Sequence, residues 1–173
     1  MGMKHALAAP LLRAATALAA LDPPELDRAR LIATEALEAA TLVESHVAIA
    51  AAHGTLGRIE AGAGRYREAM AHIDHAMAHA SESQHRVTEC LALLARGQVR
   101  WLCGEPAEAD FGAAVSMAKQ ISYPQAAVEA LIGLAECGVD PVRNLTEAAE
   151  LADQHGMVAL HVRSSHLLGA RVG

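Results

Sequence analysis

The sequence predicts an all-α protein, and two observations support this fold class. Hydrophobic residues make up 53% of the 173 residues, but aromatic residues make up only 2%. The core must therefore be built from small and aliphatic side chains, which suit closely packed helices better than sheets. Small residues also recur at a shift of forty residues, and within one segment they stand seven apart, on one face of a helix. A chain of this length fits one domain, residues 1–173, with a sizeable core.

One charged residue and three turn signals predict the first four helices. Arg13 lies within the first apolar segment, where it disfavours a secretory signal but suits the wet face of an amphipathic helix. Pro23-Pro24 begins the second helix, Gly62-Ala63-Gly64 separates the third from the fourth, and Ser81-Glu82-Ser83 ends the fourth. The predicted helices are 4–20, 24–42, 45–62 and 65–80.

Four further turn signals predict five more helices. Glycine favours the left-handed conformation that ends a helix, and proline fits the first turn of the next one. These residues stand together at Gly104-Glu105-Pro106 and Gly138-Val139-Asp140-Pro141, and separately at Ser122-Tyr123-Pro124 and His155-Gly156. The predicted helices are 84–103, 106–120, 124–137, 141–154 and 157–170.

The recurrence predicts stacked helical hairpins. A hairpin with one apolar face cannot bury that face alone, so neighbouring hairpins must share a core. For the fourth unit a shift of thirty-four is preferred to forty, because it aligns Gly138 with Gly104 and keeps Gly156 out of a helix. We therefore expect a right-handed α-solenoid of about four antiparallel pairs, 4–42, 45–80, 84–120 and 124–154, with a final helix at 157–170. The residues that the shift of forty superposes are Ala29, Ala69 and Ala109, and Ala36, Ala76 and Ser116.

The second unit resembles a tetratricopeptide repeat. Its landmarks are Leu56-Gly57, Gly64, Tyr66, Ala69, Ile73, Ala76 and Met77. The third unit keeps Gly97 and Gly104 but has Pro106 in place of the tyrosine. The longer unit is similar to the helical-repeat regions of bacterial transcriptional activators of MalT-like and antibiotic-regulatory types. The resemblance implies a cytoplasmic partner-binding or sensor module of a bacterial regulatory system.

The resemblance also implies a partner groove. In the family, the first helices of successive hairpins line a concave surface that holds an extended peptide or a helix. Carried over to this sequence, the groove residues are Arg58, Ala61, Leu94, Gln98 and Trp101. The single tryptophan, Trp101, could anchor a ligand, or it could pack between hairpins; both interpretations stay open.

A stripe of histidines is the second candidate site. His72, His75 and His79 share one side of a predicted helix, and Glu68 lies one turn before them. The inward face of this helix is apolar, so the histidines should face solvent or the edge of the hairpin. A solvated surface, a metal site and a pH sensor are the three interpretations, since imidazoles four residues apart can chelate one ion and also titrate near neutral pH.

Composition and motifs disfavour several other functions. The net charge is −6 without a basic stripe, which argues against direct nucleic-acid binding. Three cysteines without C-x-x-C spacing predict reduced, buried thiols. The segment GTLGRIEAGAG lacks the strand and the Lys-Ser/Thr of a phosphate loop, no hydrolase motif is present, and no uncharged stretch is long enough for a membrane span.

The sequence therefore predicts a non-catalytic scaffold without a cofactor that binds a protein or peptide partner. Two alternatives stay open. One is a metal-binding or pH-sensing protein that uses the histidine stripe. The other is a self-assembling repeat protein, because the last helix could either cap the solenoid or expose an apolar face for a homo-oligomer.

Overall fold

A computed structural model describes residues 7–21 and 23–172, which form α-helices and no strand. The all-α prediction is confirmed for these residues, although the predicted helical residues 4–6 lie outside them. No helix in the described ranges has both the length and the apolar character needed to cross a bilayer. The helices are α1 (Ala8–Ala19), α2 (Leu26–Leu42), α3 (His46–Gly62), α4 (Tyr66–Ser83), α5 (Arg86–Leu102), α6 (Glu108–Gln120), α7 (Pro124–Glu136), α8 (Pro141–Gln154) and α9 (Val158–Val172).

Each turn from α2 to α9 contains a residue in the left-handed conformation. Glycine has this role in the turns that follow α3, α5, α7 and α8, where its missing Cβ removes the steric penalty. Non-glycine residues adopt it in the turns after α2, α4 and α6, and Asp140 adopts it together with Gly138 in the turn after α7. The residues with positive φ are Gly64, Gly104, Gly138 and Gly156, and Glu44, Gln84, Ser122 and Asp140.

Several predicted boundaries were wrong by two or three residues. Ser81-Glu82-Ser83 was predicted as a turn but forms the end of α4, and the chain leaves the helix at Gln84, whose φ is 51°. The predicted helix start at Pro106 is also early, because α6 begins at Glu108. Pro24 was likewise predicted to begin a helix, but α2 begins two residues later at Leu26. Pro124 and Pro141 are the first residues of α7 and α8, as expected.

Contacts between the helices follow one rule along the described chain. Each helix packs against the next one, and the odd-numbered helices α1, α3, α5, α7 and α9 also pack in sequence against one another. The even-numbered helices make no comparable contacts among themselves. The odd-numbered helices therefore form one continuous layer, which we call the odd-helix layer.

The even-numbered helices bury stripes of small residues against this layer. In α2 and α4 the buried sets superpose at the shift of forty residues, as predicted. In α6 the buried set lies two residues earlier than that shift requires, so the predicted inward positions Ala109 and Ser116 are exposed. The buried sets are Ala29, Ala33, Ala36 and Ala40; Ala69, Ile73, Ala76 and Ala80; and Ala107, Phe111, Ala114 and Ala118.

Phe111 accounts for the displaced register of α6. Its ring is buried between α5 and α7 at two glycines. A Cβ at Gly97 would lie 2.9 Å from the ring, and one at Gly133 would lie 2.5 Å from it. Because only glycine leaves room here, the ring fixes which residues of α6 face inward.

A buried carboxylate joins α5 to α6. Asp110 accepts hydrogen bonds from Arg96 Nε at 2.9 Å and from Arg100 Nη1 at 3.0 Å. Two guanidinium groups compensate the loss of water around this single carboxylate.

Candidate functional site

The odd-helix layer carries an open cavity of about 680 Å³, which we call the groove. Four helices, α1, α3, α5 and α7, contribute to its wall. Val47 and Leu91 are exposed apolar side chains on this wall, so an occupant could remove them from water. Representative lining residues are Leu12, Val47, Arg58, Leu91, Gln98 and Glu129.

The structure places three of the five predicted groove residues on this wall. Arg58, Leu94 and Gln98 line the groove. Ala61 is buried instead among side chains of α4 and α5. Trp101 is 42% exposed near the end of α5 and does not line the groove. Trp101 thus lies outside the groove, where it could have anchored a ligand.

The groove contains polar groups whose hydrogen-bonding capacity is not used. The Oε1 atom of Gln98 is buried without a hydrogen-bond partner. Arg58, at the equivalent position one repeat earlier, is partly buried and has no hydrogen bond or ion pair with any other described residue. Burial lowers the pKa of Arg58, and the carboxylate of Glu129 acts in the opposite direction. An acceptor and a cation therefore lie in the same wall.

The repeat landmarks in the sequence do not indicate the contributions of α1 and α7 to the groove. Gln125 and Glu129 line it from α7, and Gln125 Nε2 donates a hydrogen bond to Glu129 Oε1 at 3.2 Å. Arg13 lines it from α1. Arg58 and Gln98 were aligned by Gly57 and Gly97, and neither α1 nor α7 has a glycine at the matching position. The only signal for α1 and α7 was that they are the first helices of their hairpins.

Five histidines form the second candidate site, a row along the edge shared by α3 and α4. His53 Nδ1 lies 2.9 Å from His72 Nδ1, and the rings of His53 and His75 stack with centroids 4.9 Å apart. At the end of the row, His46 Nδ1 lies 3.0 Å from His79 Nδ1. We call these five residues the histidine row.

The helical spacing of the histidines predicted the α4 half of this row but not His46 and His53. A signal was present in the sequence. The pairs His46 with His79 and His53 with His72 stand at equal distances along the chain on either side of the Gly62–Ala63 junction. Residues so placed come opposite one another in a pair of antiparallel helices.

Electrostatics differ along the row. The pKa of His53 is lowered to about 4, first by burial and then by the neighbouring His72, His75 and His79. Burial also lowers the pKa of His72, against an opposing effect of the Glu60 carboxylate. The middle of the row therefore favours neutral imidazoles.

A carboxylate oxygen lies within 3.5 Å of histidine nitrogens at the end of the row formed by His46 and His79. Glu82 Oε2 lies 3.0 Å from His46 Nδ1 and 3.5 Å from His79 Nδ1. Glu68, which the sequence predicted beside the stripe, is exposed and lines a separate cavity of about 410 Å³ with His72 and Glu60. The carboxylate that reaches the histidines is thus Glu82, not Glu68.

The three cysteines lack the environment of a reactive thiolate. Cys90 is buried and its Sγ lies 3.6 Å from the carbonyl oxygen of Ala114. Burial is the main cause that raises the pKa of Cys90, Cys103 and Cys137. Each thiol therefore stays protonated near neutral pH.

Comparisons with known proteins add no family to this description. No family model matches the chain, and no curated protein matches it. The groove and the histidine row are therefore interpreted from their own geometry.

Proposed function

We propose that this chain is a non-catalytic helical-repeat module whose groove binds an extended segment of a partner protein. The proposal treats the helices as antiparallel hairpins stacked in a right-handed solenoid, as in tetratricopeptide-repeat proteins. Two features support it: the odd-numbered helices pack in sequence, and the groove lies on the layer that they form. In such a solenoid the first helices of the hairpins present the binding surface.

The unused polar groups of Gln98 and Arg58 support a peptide as the occupant. A buried acceptor without a partner costs free energy, and a main-chain N–H can satisfy it. Arg58 can pair with a carboxylate, from an acidic side chain or a chain terminus. We therefore propose an extended segment that places a carboxylate at Arg58 and an N–H group at Gln98.

The apolar part of the wall extends this description of the partner. Val47 and Leu91 are exposed on neighbouring helices of the odd-helix layer, and Leu12 of α1 also lines the groove. Aliphatic side chains of the segment would cover them, which supplies affinity without directional bonds. The proposed ligand thus combines aliphatic residues with one carboxylate.

A wider role follows from the resemblance rather than from the groove. We propose that the chain is a cytoplasmic partner-binding or sensor module of a bacterial regulatory system, without a cofactor and without direct nucleic-acid contact. The acidic net charge of −6 supports the last point, because such a surface repels phosphate backbones.

A random peptide library displayed on phage tests the proposed function. Selection on the chain should enrich aliphatic peptides that carry an acidic residue or a free C-terminal carboxylate. Synthetic peptides from the selection should bind the Arg58→Ala and Leu91→Asp variants at least ~10-fold more weakly, because one salt-bridged contact or one apolar contact is worth about 1.4 kcal/mol or more. Fluorescence anisotropy with labelled peptides measures this difference.

Two matched variants serve as controls. Arg67→Ala removes an exposed arginine from α4, and Leu31→Asp changes an exposed leucine of α2; neither residue lines the groove. Both should bind the selected peptides as the parent does. Peptides that bind Arg58→Ala and Leu91→Asp as tightly as the parent would show that the groove is not the binding surface.

A further inference from the structure

We propose that His46, His79 and Glu82 form a binding site for a divalent first-row transition-metal ion, with Zn²⁺ as the expected occupant. The site lies where the first turn of α3 meets the last turn of α4. Their potential ligand atoms, two Nδ1 and one Oε2, all lie within 4.8 Å of one another. The inference uses no residue of the groove and does not depend on the proposed peptide binding.

The three distances fit one face of a tetrahedron. Zinc binds histidine nitrogen and carboxylate oxygen at ~2.0–2.2 Å, so two ligands of a tetrahedral ion stand ~3.3 Å apart. The observed separations are 3.0 Å between the two nitrogens, 3.0 Å from His46 to Glu82 and 3.5 Å from His79 to Glu82. An ion slightly above this triangle therefore reaches all three atoms without a change in helix packing.

Hydrogen bonds alone do not satisfy this arrangement. A neutral imidazole nitrogen either donates one hydrogen or accepts one, and a carboxylate only accepts. If both Nδ1 atoms donated to Glu82, their two N–H groups would face each other at 3.0 Å. If one nitrogen accepted from the other, a single N–H would have to serve both that nitrogen and Glu82 Oε2. A cation removes both conflicts, because it binds three lone pairs at once.

The exposure of the three side chains leaves the fourth coordination position of the ion open to solvent. The side chains of His46, His79 and Glu82 are 47%, 28% and 58% exposed. Water can therefore complete the coordination, as at zinc sites with three protein ligands. The pair His53 and His72, in the middle of the row, belongs to no such three-residue group among the described residues. The end of the row is thus the site expected to bind the ion.

The position of the metal site along α3 and α4 predicts that a bound ion stabilises the folded state. The site joins the beginning of α3 to the end of α4, at the opposite end of this helix pair from the Gly62–Gly64 turn. An ion bound here links two segments that are far apart along the unfolded chain. Metal binding should therefore stabilise the folded state.

Titration of the metal-free full chain with ZnCl₂ tests the proposal. After removal of metal with EDTA, isothermal titration calorimetry should show one tight site per chain. The melting temperature should rise by ~5–10 °C at a Zn²⁺ concentration about 100-fold above Kd. Co²⁺ in place of Zn²⁺ should give the visible absorption of a tetrahedral ion. Absence of calorimetric binding, or no rise in melting temperature, would overturn the proposal.

Variants locate the site. His46→Ala and Glu82→Gln should each weaken Zn²⁺ binding at least ~10-fold. Glu82→Gln changes one exposed atom, so it keeps the proposal testable if His46→Ala fails to fold. His72→Ala, elsewhere in the row, and His155→Ala, at the end of α8, should bind as the parent does. Undiminished binding by Glu82→Gln, or a loss caused by His72→Ala alone, would place the ion elsewhere and refute this assignment.

Discussion

The ring of Phe111 in α6 lies so close to the backbone of Gly133 in α7 that a Cβ there would stand 2.5 Å from Phe111 Cε1. The ring is buried, and Gly97 of α5 borders it from the other side. Phe111 therefore packs three successive helices together. This packing is possible only because the two neighbouring helices have glycine, which lacks a side chain, at the contact.

Gly133→Ala should destabilise the protein. The added methyl group would overlap the buried Phe111 ring, and overpacking of this kind costs about 1–3 kcal/mol. Urea unfolding followed by circular dichroism measures the loss. Gly112→Ala is the matched control, since nothing lies within 4 Å of a Cβ there and alanine favours a helix by roughly 0.5–1 kcal/mol. Equal effects of the two substitutions would contradict the close contact.

Asp110→Asn should also lower the free energy of unfolding. The carboxylate is buried and pairs with both Arg96 and Arg100. Its loss leaves Arg96 without a counter-charge among the described residues and leaves Arg100 only the longer contact with Glu105, at 3.9 Å. Because both arginines are partly exposed, we expect about 2 kcal/mol rather than the full cost of a buried pair. Glu147→Gln, which breaks the exposed pair with Lys119, should cost less than about 0.5 kcal/mol in the same assay.

Stability should fall as the pH drops from 6.5 towards 4, in part because of His53. Its pKa is about 4 in the folded chain and ordinarily 6.5. Above pH 6.5 the residue is neutral in both states and contributes nothing. Between pH 6.5 and 4, His53 is protonated in the unfolded chain but stays neutral in the folded chain. This difference lowers the free energy of unfolding by at most about 3 kcal/mol before screening by solvent.

Urea midpoints at pH 7.5 and 4.5, with EDTA present, measure this effect in the parent and in His53→Asn. The difference between the two pH values should be smaller in His53→Asn, since the titrating group is gone. His155→Asn, outside the row, should behave as the parent does. The groups that face His53 are His72, His75 and His79 of α4; an unchanged pH dependence in His53→Asn would assign the effect to them or to the carboxylates.

Thiol labelling should distinguish the cysteines. Cys90 is fully buried, whereas Cys103 and Cys137 are partly accessible. Under native conditions iodoacetamide should alkylate Cys103 and Cys137 slowly, because their pKa values are raised, and Cys90 only when the chain unfolds. Mass spectrometry of the digested protein identifies the labelled sites. Labelling of Cys90 as fast as Cys137 would indicate a local opening between α5 and α6.

Local sequence predicted the helices well and long-range contacts poorly. Turn glycines and prolines act on their own backbone, so the boundaries at Gly64, Gly104 and Pro141 could be read directly. The register of α6 could not be predicted from local sequence, because it depends on the contact of Phe111 with glycines of two other helices.

The candidate sites show the same limit. The stripe on α4 is a local pattern and was found, but His46 and His53 become its neighbours only once α3 folds back on α4. Trp101 was chosen for its residue type and aligned position, yet its place near the end of α5 removes it from the groove. Arg58 and Gln98 were aligned by a repeat landmark on the right helix face, and both line the groove.

The turns that follow the even-numbered helices offer a route to a more robust protein. Glu44, Gln84 and Ser122 hold a left-handed conformation that costs a residue with a side chain roughly 1–2 kcal/mol. Glycine at these positions would relieve that strain and lose somewhat less in the entropy of the unfolded chain. The three turns are separate in the fold, so the gains should add. A more thermostable variant could therefore be engineered by substitutions in these turns alone, without any change to the groove or the histidine row.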